Sequence, residues 1–148
     1  MQLPRKPKIA VLGGTGKEGS GLALRWAHAG YPIAIGSRAR ERAEQTAASI
    51  NAQVGVQRAE GLDNFAAAAS SEIVVLTVPY AAQLSTLAEV KAALAGKILI
   101  DVTVPLVPPQ VSRAQLPEGG SAVVLAQTML GVDVRVVSAF QNVSAEHL

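Results

Sequence analysis

Between Lys8 and Gly21 the chain reads KIAVLGGTGKEGSG, five glycines in fourteen positions directly behind a short apolar run. A β-branched run ended by glycines reads as a buried strand over Lys8 to Leu12. Helical spacing then sets in at Lys17, with Leu22, Ala23, Trp26 and Ala27 on one face and Gly30 as the stop. Strand, glycine turn and helix in that order restrict the fold far more than the glycine count does. Within the turn, Gly14-Thr15-Gly16-Lys17-Glu18-Gly19 is a G-x-G-x-x-G motif in the one context that gives it mechanical meaning. The first glycine allows a tight turn, the second carries no Cβ to block a pyrophosphate, and the third lets helix and strand pack closely. Unpaired N–H groups at the helix start face the anion. The alternative is a structural turn without ligand.

The pattern repeats along the chain. Tyr31 to Gly36 reads as a second strand, Ala39 to Ile50 as an alanine-rich helix, and Val54 to Ala59 as a weaker third strand. LDNFAAAASS makes a short helix with Asp63 or Asn64 at its start. EIVVLTVP is apolar nearly throughout, as a strand covered on both faces is, and Pro79 ends it. A helix over Ala81 to Leu94, a strand KILIDV, a proline-rich loop TVPLVPPQV, a helix over Ser121 to Leu130 and a strand over Val134 to Phe140 complete the reading. Alternating strands and helices of these lengths imply a doubly wound α/β domain with a parallel sheet. One domain over residues 1–148 is expected, and SAFQNVSAEHL follows the last strand with no evident closing element.

Composition narrows the chemistry. The chain has 148 residues, 49% of them apolar, and no cysteine, so disulfides, thiolate metal sites and cysteine nucleophiles are excluded. Its net charge of +2 is spread out and aromatic residues are only 3%, which disfavours nucleic acid as a partner. No apolar stretch approaches the ~18 residues of a membrane span, and no signal core follows the N-terminal charges, so a cytoplasmic protein is expected.

Where the second strand ends, an NAD site places an acid for the ribose hydroxyls. Here IAIG runs into Ser37-Arg38, with Arg42 one helical turn on and no acid before Glu41. A guanidinium beside a hydroxyl suits a 2′-phosphate, which points to NADP; a solvated helix start is the alternative. For Arg40 and Arg42 taken singly, surface decoration is an equal reading. Residues after strands four, five and the last, among them Thr77, Val78, Pro79, Tyr80, Asp101, Thr103, Gln141 and Val143, are candidates for ligand contact by position alone. His28 and His147 lie away from those strand ends, and no convincing acid/base, nucleophilic or metal-binding set is present.

IAVLGGTGKEGSGLALRWAHAGYPIAIGSRARERA resembles the N-terminal domain of the NADPH-dependent reductases of coenzyme F-420, the 8-hydroxy-5-deazaflavin:NADP oxidoreductases. IVVLTVPY and VVSAFQNVSA match the same pattern, so the resemblance covers nearly the whole chain. It implies a Rossmann domain followed by a small helical domain, most of which these residues lack. It further implies a homodimer and direct hydride transfer between NADP(H) and the deazaflavin. On the resemblance, Thr15, Gly16, Lys17 and Glu18 line the pyrophosphate turn, and Ser37, Arg38 and Arg42 hold the 2′-phosphate. Val78 and Val104 lie along the NADP, while Gln141, Val143 and Ala145 lie near the meeting of the two rings. The family pattern often has His where this chain has Gln141, an uncharged donor. Two other readings stay open: a non-catalytic NADP(H)-binding module or sensor, and the cofactor domain of an imine or small-acid reductase.

Overall fold

A computed structural model describes residues 4–106, 109 and 113–148. Six parallel strands form one sheet: β1 (Ile9–Leu12), β2 (Ile33–Ser37), β3 (Ala59–Asp63), β4 (Ile73–Leu76), β5 (Ile98–Asp101) and β6 (Arg135–Ser138). Their order across the sheet is β3-β2-β1-β4-β5-β6, that of a doubly wound dinucleotide fold. The helices are α1 (Lys17–His28), α2 (Arg40–Val54), α3 (Asn64–Ala69), α4 (Gln83–Val90) and α5 (Ala122–Leu130).

Alternation along the central strand builds two cores. Ala10 and Leu12 face one side with Val74, Leu76 and Leu99, and are covered by Leu87 and Val90 of α4 and Ala126 of α5. Ile9 and Val11 face the other with Ile33 and Ile35, under Ala23, Ala27, Ala43, Ala47 and Ile50 of α1 and α2. Small side chains on the helices let them lie close to the sheet. Each fully buried Leu, Ile or Val stabilises this sandwich by about 1.5–3 kcal/mol.

Three elements differ from their sequence reading. The third strand is Ala59–Asp63 rather than Val54 to Ala59, because α2 runs on to Val54 and ends at Gly55 in the left-handed conformation (φ 81°). Asn51 then clasps the incoming chain: its Oδ1 accepts from the N–H groups of Arg58 and Ala59, both at 2.8 Å, and its Nδ2 donates to the Ala59 carbonyl. The fourth strand leaves the ladder at Leu76, where the Thr77 N–H and hydroxyl both turn to the Leu12 carbonyl. The helix expected over Ala81 to Leu94 is α4 flanked by two 3-10 turns, Tyr80–Ala82 and Lys91–Ala93. Much of the proline-rich loop lies outside the described residues. After β6, a 3-10 turn at Ala145–His147 folds back on α1, where Arg25 donates to the His147 carbonyl at 2.8 Å.

Candidate functional site

Leu12 pairs with Gly36 on one side and Leu76 on the other, so β1, β2 and β4 end level. The chain leaves β1 toward β2 and returns later to β4, so the turns after these strands diverge and leave a crevice. A cleft of about 660 Å³ lies there, within the usual range for small-molecule sites.

The glycine turn forms its floor. Gly13 holds the left-handed conformation (φ 71°) that the tight turn needs, a task the sequence reading gave to Gly14. Gly14 is instead a point of close approach: a Cβ there would stand 2.7 Å from the Val11 carbonyl oxygen and 3.1 Å from Ile35. At Gly19 a Cβ would fall 2.5 Å from the Thr77 hydroxyl and 2.9 Å from the Gly14 Cα, so only glycine seats α1 against the sheet. Gly16 is different. Its nearest neighbour would be 3.5 Å away, so the missing Cβ there opens the cleft without being demanded by packing.

Gly16 is also the N-cap of α1, and no side chain caps that helix; Ala39 likewise leaves α2 uncapped. By contrast Asp63 caps α3, accepting from the Ala66 N–H at 2.8 Å, and Ser121 caps α5. The helix that starts at the cleft floor thus keeps free N–H groups and the positive end of its dipole there.

Of the sequence candidates, Thr15, Gly16, Ser37 and Arg38 line this cleft together with Arg42, Thr77, Val78 and Pro79. Ser37 is nearly buried and its hydroxyl accepts from the Ala39 N–H at 3.2 Å, fixing the turn that presents Arg38. Neither the Arg38 nor the Arg42 guanidinium has an ion pair or hydrogen bond among the described residues. Arg40 does: it pairs with Glu44 at 2.9 Å on the helix surface. Two unpaired guanidinium groups beside an uncapped helix start are the chemistry that suits a polyanion, with Glu89 the one acid in the cleft lining.

The other candidates sit elsewhere. Glu18 lies in the first turn of α1, where burial pushes its carboxyl above the usual carboxylate range. Lys17 and Ala145 line a separate groove of about 500 Å³ between α1 and α2. Val104 follows β5, and Gln141 and Val143 follow β6; none of the three lines the cleft. Gln141 donates to the Asp101 carbonyl at 2.7 Å. Asp101, at the end of β5, is 1% exposed, takes a 2.6 Å hydrogen bond from Gln83 and holds the Thr103 N–H at 2.9 Å. It braces the loop after β5. Several cleft residues escaped the sequence reading: Asn64, weighed there only as a helix cap, and Ser85, Thr86 and Glu89 on the α4 side.

The family model described as "NADP oxidoreductase coenzyme F420-dependent" matches residues 8–105. The chain belongs to this family. Among relatives of these oxidoreductases, the F420-dependent NADP reductase of Methanothermobacter thermautotrophicus is 44% identical over 147 residues, covering 95% of this chain and 63% of that protein. The enzyme of the same name from Methanocaldococcus jannaschii is 43% identical over 143 residues, covering 92% and 63%. A solved putative F420-dependent NADP-reductase from an Arthrobacter species superposes with a TM-score of 0.76 at 27% identity, covering 95% of this chain and 65% of that one. A pyrroline-5-carboxylate reductase from Coxiella burnetii shares the fold, with a TM-score of 0.62 at 19% identity. The chain therefore spans a little under two thirds of these F420-dependent relatives. Among the described residues no helix is long and apolar enough to cross a membrane.

Proposed function

We propose that this chain is the NADP(H)-binding part of an oxidoreductase that moves a hydride between NADP(H) and coenzyme F-420. The observation that carries the reading is the pair of unpaired guanidiniums, Arg38 and Arg42, in the cleft that begins at the uncapped start of α1. The residues fit the dinucleotide in three ways: an open approach at Gly16, free N–H groups for a pyrophosphate, and a Ser-Arg-Arg set with no competing acid at the end of β2.

In this reading Gly14 and Gly19 shape the turn, and Thr15, Gly16 and the first turn of α1, with Lys17 and Glu18, meet the pyrophosphate. Ser37, Arg38 and Arg42 hold the 2′-phosphate, and Val78 and Pro79 wall the cofactor. Val104, Gln141, Val143 and Ala145 are assigned to the nicotinamide and deazaflavin end on resemblance. When bound, NADP(H) and F-420 would supply the hydride donor and acceptor, in either direction. Protein groups then need only orient the two rings and exclude water. Asp101 is occupied by Gln83 and the Thr103 N–H. Residues 1–148 serve as one NADP-binding domain, and a cytoplasmic homodimer is proposed for the whole protein.

The test mixes protein, NADPH and oxidised F-420 and follows loss of the deazaflavin absorbance, with NADPH binding titrated in parallel. Turnover supports the reading. Tight NADPH binding without turnover would assign a binding module, and absence of binding would remove the cofactor reading altogether.

A further inference from the structure

Asn64 is the first residue of α3, one step beyond Asp63, whose Cα pairs with Ser37 across the β2–β3 ladder. That register sets Asn64 beside the residues that end β2, and it lines the same cleft as Ser37, Arg38 and Arg42. The residue is 2% exposed, yet its Oδ1 is sealed from solvent with no hydrogen-bond donor. Its amide nitrogen donates no hydrogen bond among the described residues either.

Helix capping does not explain the residue, because Asp63 already performs it. Packing alone does not explain it, because an apolar side chain would fill the space without burying a carboxamide that lacks partners. The backbone makes room for it: a Cβ on Gly36 would stand 2.9 Å from the Asn64 Oδ1. An unsatisfied buried polar group at a ligand cleft points to the ligand as its partner.

We propose that Asn64 reads the adenosine ribose: its amide turns out of its place against Gly36 as the ligand binds, Nδ2 donating to the 2′-phosphate and Oδ1 accepting from the neighbouring 3′-hydroxyl, and so helps select NADP(H) over NAD(H). This rests on the NADP(H) reading above. The match is one of chemistry. A 2′-phosphate beside a 3′-hydroxyl offers acceptors next to a donor, and a carboxamide offers a donor next to an acceptor. The terminal torsion of asparagine is broad, so either end of the amide can turn to the cleft. A carboxylate at the same place would accept from both hydroxyls of an unphosphorylated ribose and repel the phosphate, as the acid of NAD sites does. Strand β2 ends without such an acid, and the first residue of α3, just past the capping Asp63, supplies its neutral isostere.

The experiment titrates NADPH and NADH into the wild-type protein and into Asn64→Ala, Asn64→Asp and Arg38→Ala, with ligand-free thermal melts to confirm folding. Wild type should prefer NADPH. Asn64→Ala should lose NADPH affinity by about tenfold, the effect of one hydrogen bond to a charged group, and NADH affinity much less. Asn64→Asp should lose NADPH affinity further and hold NADH, reversing the preference. If the buried carboxylate prevents folding, Asn64→Ala alone decides. An unchanged NADPH/NADH ratio in folded Asn64→Ala, while Arg38→Ala collapses that ratio, would overturn the role of Asn64 and leave the NADP(H) reading standing. A wild type with no preference for NADPH would overturn both.

Discussion

The two halves of the sheet, β1-α1-β2-α2-β3 and β4-α4-β5-α5-β6, share a strand direction and a winding plan, yet they treat their polar groups in opposite ways. In the first half the strand ends leave chemistry unspent: an uncapped α1, two unpaired arginines and an unsatisfied Asn64. In the second half the corresponding positions are largely bound to one another. Gln83 donates to Asp101 and to the Ala122 carbonyl, Asp101 holds the Thr103 N–H, Gln141 reaches the Asp101 carbonyl, and Ser121 caps α5. Among the described residues, the Gln83 Oε1 and Thr103 Oγ1 are the side-chain atoms buried there without partners. The difference teaches that equal architecture does not confer equal function; the side proposed to meet the ligand is the one whose donors and charges the fold leaves unanswered.

Substitutions can break that contrast. The largest effect is expected at Arg38→Ala, which removes a charge-assisted contact and should weaken NADPH binding by up to about a hundredfold, with little change for NADH. Equal losses for the two dinucleotides in a binding titration would place Arg38 away from the 2′-phosphate. In the other half, Asp101→Ala strands the Thr103 N–H and leaves the Gln83 amide only the Ala122 carbonyl, and should cost about 2 kcal/mol in denaturant unfolding. NADPH affinity should survive it; a parallel loss of binding would mean that the second half is not merely scaffold.

Gly16→Ala sharpens the comparison from within the turn. A Cβ there meets nothing closer than 3.5 Å, so the melting temperature should hold while NADPH affinity falls about tenfold. A variant that melts early would instead make Gly16 a packing residue like Gly19. The smallest effect belongs to Glu18→Gln. Burial raises the Glu18 pKa in the folded chain, so the folded state holds its proton more tightly than the unfolded one. That stabilising contribution is complete below the unfolded pKa and is lost as pH rises through the raised value. Glu18→Gln should therefore melt slightly above wild type at pH 7, with the gap closing in acid; a gap that widens in acid contradicts the sign.

The first βαβ unit was legible because its residues serve backbone geometry that sequence spells out: Gly19 can be nothing larger beside Thr77, and Gly13 and Gly14 must turn and approach. Strand β3 was misplaced because AEGLD carries almost no strand preference. It is held by Asn51 and by contact of Gly61 with α2, where a Cβ would fall 2.2 Å from the Glu44 nitrogen. Nothing in a local window announces either contact. Asn64 was hidden for a related reason. An Asp-Asn pair opening a helix looks like a cap, and only the Ser37 register reveals that one member caps while the other faces the cleft. Arg40 and Arg42, equivalent on paper, were separated by the presence of Glu44 one turn beyond Arg40.

The position of β1 has a kinetic consequence. Ile9 pairs with Ile33 on one side and with Ile73 on the other, so the second pairing must wait until α1, β2, α2, β3 and α3 are enclosed in the connecting loop. Closing that loop is the entropically slower event, and the crevice between the turns after β1 and β4 does not exist before it. A dinucleotide therefore has nothing to grip in the folding transition state. It should lengthen the lifetime of the folded chain by slowing unfolding while leaving the refolding rate nearly unchanged.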